Sequence, residues 1–219
     1  MPKISPFEKY AEPYDKWFDE NRWVYEAELR AVRAMIPSGK RGIEIGAGTG
    51  RFTEPLGIRY GVEPAERMRE IAERRRIRTL GGVAEALPLA DAQFDFVLMV
   101  TTVCFFDDIN KALLEAYRVL RPGGFLIIGF IDRSSRVGQT YVDGQKENRF
   151  YKEARFFSVD EIAPCMGQAG FRDFLFKQTI FKRLAEITRD EPVKDGYGEG
   201  SFVVIRGTKA QIDMTGSPR

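Results

Sequence analysis

The chain has 219 residues, 43% hydrophobic and 30% charged, with a formal net charge of +2. That length supports one sizeable core, and so small a charge argues against a nucleic-acid or acidic-membrane partner. There is no histidine, which removes the commonest general base, the commonest transition-metal ligand and the Ser-His and Cys-His nucleophile pairs.

The elements follow in chain order. Residues 6–36 read as two helices, the first placing Tyr10, Tyr14 and Trp17 on one face at i, i+4 and i+7. The second covers Arg22 to Met35 and ends before Pro37, Ser38 and Gly39. Strands are predicted over Arg41–Gly46 and Ile58–Glu63, followed by a helix over Pro64–Arg75 with proline at its first position. "RTLGG" reads as a third strand, and "FDFVLMV" (Phe94–Val100) as a fourth, apolar enough to be buried on both faces. A helix over Asp108–Leu120 has Asp108 as N-cap and stops at "RPGG". The fifth strand is Phe125–Ile131. Ser158 and Glu161 form the capping box of a later helix that ends near Gly170. "FRDFLFKQTI" and "GSFVVIRG" are the last two strands, and residues 210–219 read as a loose tail. Strands alternating with helices predict an α/β, Rossmann-like sheet, mostly parallel, with helices on both faces.

Cys104 and Cys165 are too few and too far apart for a disulfide or zinc framework, so no metal is expected. The N-terminal stretch lacks the apolar core of a secretion signal. The longest nearly apolar run, Phe94–Phe106, is broken by Asp95 and is too short to span a bilayer. The expectation is a cytoplasmic, reduced, soluble protein. The arginines of "ERMREIAERRRIR" alternate with glutamates, which fits a solvated helix face better than a nucleic-acid contact.

The motif of interest is "RGIEIGAGTGRF", with glycines at 46, 48 and 50 directly after an apolar run. The spacing is G-x-G-x-G, and Arg51 stands where a dinucleotide fingerprint prefers a different register. No G-K-[ST] follows, so a Walker loop is excluded. Such a loop suits close backbone approach to a ligand. Glu63, in "GVEP", falls at the carboxyl end of the adjoining strand, where a carboxylate can accept hydrogen bonds from ribose hydroxyls or cap the following helix.

"EIGAGTGRF", "GVEPAERM", "GVAEALPLADAQFDFVLMV" and "EAYRVLRPGGFLIIG", in that order, resemble the class I S-adenosylmethionine-dependent methyltransferases of the type 11 small-molecule group. The resemblance is strong over residues 40–131 and weaker over 158–170. It implies a seven-stranded sheet with the last strand antiparallel beside the fifth. It also implies S-adenosylmethionine as cofactor and S-adenosylhomocysteine as product. Gly46, Ala47, Gly48 and Gly50 would line the methionine part of the cofactor, supported by Glu44. Glu63 would hold the ribose hydroxyls and Pro64 would lie against adenine. Ala84 and Glu85 would border the adenine edge, and Thr101 would meet the methyl end. Many relatives carry an acidic residue at the position of Val83, and a histidine within the stretch matching "VCFFDD". A single methyltransferase domain over 1–209 is implied, with a helical cap over 1–36, a cofactor core over 40–131, and lid loops and C-terminal strands over 132–209.

Without imidazole, the acceptor is expected to be a thiol, a metalloid, an amine, or an acidic carbon or phenol, methylated by in-line displacement. Substrate-side candidates are Tyr10, Tyr14, Thr102, Cys104, Tyr141, Arg149, Tyr151 and Tyr197. The partners expected are a small-molecule acceptor, with no nucleic acid and no membrane, in a monomer or homodimer. The alternative is a non-catalytic S-adenosylmethionine-binding module or subunit.

Overall fold

Strand β4 (Phe94–Val100) is apolar at every position except Asp95, because helices cover both of its sides. In the computed structural model, which describes residues 4–211, Val97 and Met99 point into one apolar layer and Phe96, Leu98 and Val100 into the other. Asp95 sits at the strand entrance, where it accepts from the Arg41 N–H at 2.8 Å and from Arg121 Nη1 at 3.0 Å.

Parallel to β4 run β1 (Gly42–Ile45) and β5 (Leu120–Ile131), with β2 (Tyr60–Val62) and β3 (Arg78–Leu80) continuing beyond β1. On the other side β8 (Phe202–Lys209) lies antiparallel between β5 and β6 (Phe171–Thr179). The two-residue β7 (Lys194–Asp195) closes the edge, giving the order β3-β2-β1-β4-β5-β8-β6-β7. The sheet therefore has eight strands where seven were expected. The addition is this short edge hairpin, which carries no apolar pattern to read.

Helices α5 (Ile109–Val119) and α7 (Val159–Gln168) pack on one face, and α3 (Arg22–Arg33) on the other. The caps follow the sequence. Asp108 accepts from the N–H groups of Asn110 and Lys111, both at 3.1 Å. Glu161 accepts from the Ser158 N–H at 2.8 Å. Helix α4 (Glu66–Arg74) begins two residues after Pro64, since Ala65 rather than the proline takes the cap position.

The N-terminal region departs from expectation. Residues 6–36 form three helices, α1 (Ser5–Lys9), α2 (Ala11–Glu20) and α3, and Tyr10 is the break between the first two. Pro13 lies in the first turn of α2, where its missing N–H costs nothing. In a helix running through Lys9 it would have lost a hydrogen bond. Tyr10 therefore does not share a continuous helical face with Tyr14 and Trp17. Residues 132–151 are also more ordered than a loop, since Arg136–Asp143 form α6, capped by Ser135, which accepts from the Gly138 N–H at 3.0 Å. The expected tail lies outside the described residues from position 212 onward.

Candidate active site

The carboxyl ends of β1, β2 and β4 meet at the glycine loop. The N–H groups of Gly46 and Ala47 both donate to the Val62 carbonyl, at 2.8 and 3.1 Å, so the loop is tied to the end of β2. Gly46 has φ +73°, and a Cβ there would stand 2.1 Å from Thr102 Oγ1, so only glycine fits. Gly48 differs: its Cβ position faces open space, with Tyr14 Cε1 nearest at 3.8 Å. The backbone there is bare for a ligand.

Glu63 is buried at the end of β2. Its Oε2 accepts from the Gly48 N–H and its Oε1 from the Ala65 N–H, each at 2.9 Å. Burial lifts its pKa to about 6, while those two N–H groups pull it down. Each oxygen has one protein donor, which leaves acceptor capacity for hydroxyls. Behind it Glu44 accepts from the buried Thr53 hydroxyl. Burial pushes Glu44 up to about 8, eased by Thr53 and reinforced by the charge of Glu63.

Thr101, at the end of β4, has φ +50°, a left-handed conformation rare for a β-branched residue. It is held there by its N–H donating to the Gly129 carbonyl at 2.8 Å. Such strain costs about 1–3 kcal/mol and concentrates at functional sites.

A cleft is lined by Tyr14, Gly46, Gly48, Glu63, Pro64, Ala84, Glu85, Thr101 and Thr102 among the residues singled out in the sequence. Val83 also lines it, with Phe7, Met68 and Phe105. Glu85 accepts from the Asp107 N–H at 2.7 Å, which braces the far wall. Ala47, Gly50 and Glu44 do not line the cleft. Ala47 packs under Gly61, and a Cβ on Gly50 would meet Ile77 Cδ1 at 2.2 Å, so these residues shape the loop from behind.

A second cavity is lined by Tyr14, Thr101, Tyr141, Arg149 and Tyr151, with Trp17, Phe150 and Glu28. Tyr14 and Thr101 belong to both cavities and form the wall between them. Burial holds the Tyr14 phenol protonated, with the Thr101 hydroxyl acting in the other direction. Cys104 is buried beside a smaller apolar recess with Tyr141, Tyr151 and Phe156. Tyr10 lines neither large cavity; its ring carries the Arg149 guanidinium at 5.2 Å. Tyr197 lies elsewhere, with its ring 5.0 Å from Phe176, because residues 182–200 are drawn away from the cleft. Arg30 of α3 holds that segment through Asp190 and the Glu191 carbonyl, at 3.0 and 2.9 Å.

Two residues escaped the sequence reading. Arg51 ties the glycine loop to α2 through Asp15 and Asp19, and its only signal was the arginine where a dinucleotide loop has none. Glu28 is a carboxylate in the buried stripe Val24, Ala27, Ala31, Val32, and its signal was that misplaced charge. Among the described residues no cluster of side chains suited to a metal is present, and no helix is long and apolar enough to cross a membrane.

A glycine loop, an acidic residue ending the neighbouring strand, and β8 inserted antiparallel define a Rossmann-like methyltransferase fold. The "Methyltransferase domain" family model matches residues 43–128. The crystal structure of an S-adenosylmethionine-dependent methyltransferase from Thermotoga maritima, described as a possible histamine N-methyltransferase, is 53% identical with a TM-score of 0.91. The match covers 93% of this chain and 98% of that one. An uncharacterized protein of Methanocaldococcus jannaschii is 45% identical over 94% of this chain and 100% of its own length. The malonyl-[acyl-carrier protein] O-methyltransferase of Geobacter sulfurreducens is 30% identical over 77% of this chain and 69% of its own. The chain belongs to the class I S-adenosylmethionine-dependent methyltransferases. It is an enzyme whose methyl donor is S-adenosylmethionine.

Proposed function

We propose that the chain methylates a small-molecule acceptor by in-line displacement, with the donor in the glycine-loop cleft and the acceptor entering through the second cavity. The observation that carries this reading is the wall shared by the two cavities, Tyr14 and Thr101. S-adenosylmethionine supplies a methyl group on a sulfonium, an electrophile that carries its own leaving group.

The protein's part is position and exclusion of water. Glu63 accepts from the ribose hydroxyls with the lone pairs left free by Gly48 and Ala65. Pro64, Ala84 and Glu85 border the base. The bare backbone of Gly46 and Gly48 admits the amino-acid end, with Thr102 beside it, and Thr101 stands at the passage to the second cavity. The aromatic rings there offer negative faces toward a sulfonium or a cationic acceptor. No imidazole is available to take a proton, so the acceptor arrives competent or gives its proton to a carboxylate.

Calorimetric titration with S-adenosylmethionine, S-adenosylhomocysteine and NAD, repeated on Glu63→Ala, tests the assignment. The first two bind, NAD does not, and the variant loses at least about tenfold in affinity, as expected when hydrogen bonds to a charged group are removed. Unchanged affinity in the variant rules out this placement of the ribose.

A further inference from the structure

We infer that the second cavity is an amine subsite in which the Glu28 carboxylate pairs with the acceptor's ammonium and takes its proton. This rests on the methyltransferase reading above and names its acceptor class.

Glu28 lies on α3 and is only 4% exposed, yet among the described residues it makes no hydrogen bond and no ion pair. A buried carboxylate without a partner is costly, and its persistence needs a reason. The neighbouring buried acids are all provided for. Glu63 has two N–H donors, Glu44 has Thr53, and Glu191 has Lys182 Nζ at 2.7 Å. Of these acids only Glu28 faces a cavity without a protein partner, and aromatic side chains dominate the rest of that lining: Tyr14, Trp17, Tyr141, Phe150 and Tyr151. Aromatic faces around one carboxylate form an environment for a cation. The remaining charges on the cavity are Glu20, Glu147 and Arg149, and the guanidinium of Arg149 is turned onto the Tyr10 ring. The phenols of Tyr141 and Tyr151 stay protonated, both raised first by burial; Glu28 adds to the rise at Tyr141, while at Tyr151 it follows Tyr141, Tyr14 and Cys104.

The chemistry closes without another reactant. The ammonium gives one proton to the Glu28 carboxylate, which frees the nitrogen lone pair. That pair forms the N–C bond as the C–S bond of the sulfonium breaks, and its electrons remain on sulfur. The product leaves as a methylated ammonium, and the proton on Glu28 passes to water. Thr101 and Tyr14, common to both cavities, mark where the nitrogen meets the methyl group.

Burial pushes the Glu28 carboxyl up to about 8, so near pH 7 it is mostly protonated before an amine arrives. Pairing with an ammonium therefore expels close to one proton. The test is calorimetry of 2-phenylethylamine, histamine and 2-phenylethanol against the full chain saturated with S-adenosylhomocysteine. Runs at pH 7 in two buffers of different ionisation enthalpy count the protons.

At least one amine is expected to bind, with release of close to one proton, and the alcohol to bind at least about tenfold more weakly. Glu28→Gln is expected to lose about tenfold or more in amine affinity, abolish the proton release, and raise the urea midpoint by relieving a buried unpaired acid. Equal binding of alcohol and amine, absence of amine binding, or an unchanged proton count in Glu28→Gln overturns the inference. So does a lowered urea midpoint with amine affinity intact, since Glu28 is then a structural group. Failure of S-adenosylhomocysteine itself to bind overturns the cofactor placement instead, and the amine subsite with it.

Discussion

Arg51 and Asp15 are joined by a two-pronged ion pair, Nε to Oδ1 at 2.9 Å and Nη2 to Oδ2 at 2.8 Å. The same guanidinium reaches Asp19 Oδ1 at 2.7 Å, and Arg75 adds a bond to Asp15 Oδ2 at 2.9 Å. Both aspartates belong to α2, the helix that carries Tyr14. Arg51 directly follows the last loop glycine, so the loop and the helix above it are held as one piece.

Replacing Arg51 by alanine should free that helix. Asp15 keeps Arg75, while Asp19 loses its partner, and the expected loss is about 1–3 kcal/mol. Urea unfolding measures it. Because α2 also walls the cleft, affinity for S-adenosylhomocysteine should fall in parallel; an unchanged affinity would show that the clamp serves stability alone.

The pH dependence of stability has two limbs of opposite sign. Burial works against the Asp15 carboxylate, but hydrogen bonds from Arg51 and Arg75 outweigh it and hold its pKa at about 2, below its ordinary 3.8. Its contribution is present above about pH 3.8 and is lost as pH falls toward 2. Glu28 and Glu44 are raised to about 8 and Glu63 to about 6, from an ordinary 4.5. These acids bind more protons folded than unfolded, so stability declines as pH rises from 4.5 toward 8. Thermal melts of the ligand-free protein from pH 3 to 9 should peak on the acid side of neutrality. Asp15→Asn should flatten the low limb and Glu28→Gln the high one.

Two glycines two residues apart should respond differently to alanine. At Gly46 the new methyl group meets Thr102, and the loop has to move. Gly46→Ala is expected to cost stability and binding together. At Gly48 the methyl group enters open space, although φ +53° carries a strain of about 1 kcal/mol. Gly48→Ala should melt within a few degrees of the parent and still bind the cofactor poorly. Good binding by Gly48→Ala would place the ligand elsewhere.

Much of this architecture was legible because periodicity and punctuation agree. The run Phe94–Val100 could only be a doubly covered strand, and Asp108 and Ser158 announced their helices. What was missed depends on contacts distant in sequence. The break at Tyr10 was written in Pro13 but masked by an aromatic period. The left-handed backbone of Thr101 has no local signature, since threonine does not favour it and the Gly129 carbonyl imposes it from β5. Tyr197 looked like a site residue because its segment leaves the same edge of the sheet as the cleft, yet Arg30 holds that segment elsewhere. Glu28 was visible only as a charge on an apolar stripe, and which cavity it faces was set by α6 and the turn after it.

The insertion of β8 between β5 and β6 governs how the molecule is made. Until residues 202–209 leave the ribosome, β5 has an open edge and β6 has no neighbour within the main sheet. Both are exposed hydrogen-bonding edges of the kind that recruit other chains. Every residue of the glycine-loop cleft is synthesised before position 108, but the sheet beneath it closes only a hundred residues later. Mutations along β8 should therefore appear first as poor yield of soluble protein rather than as altered catalysis.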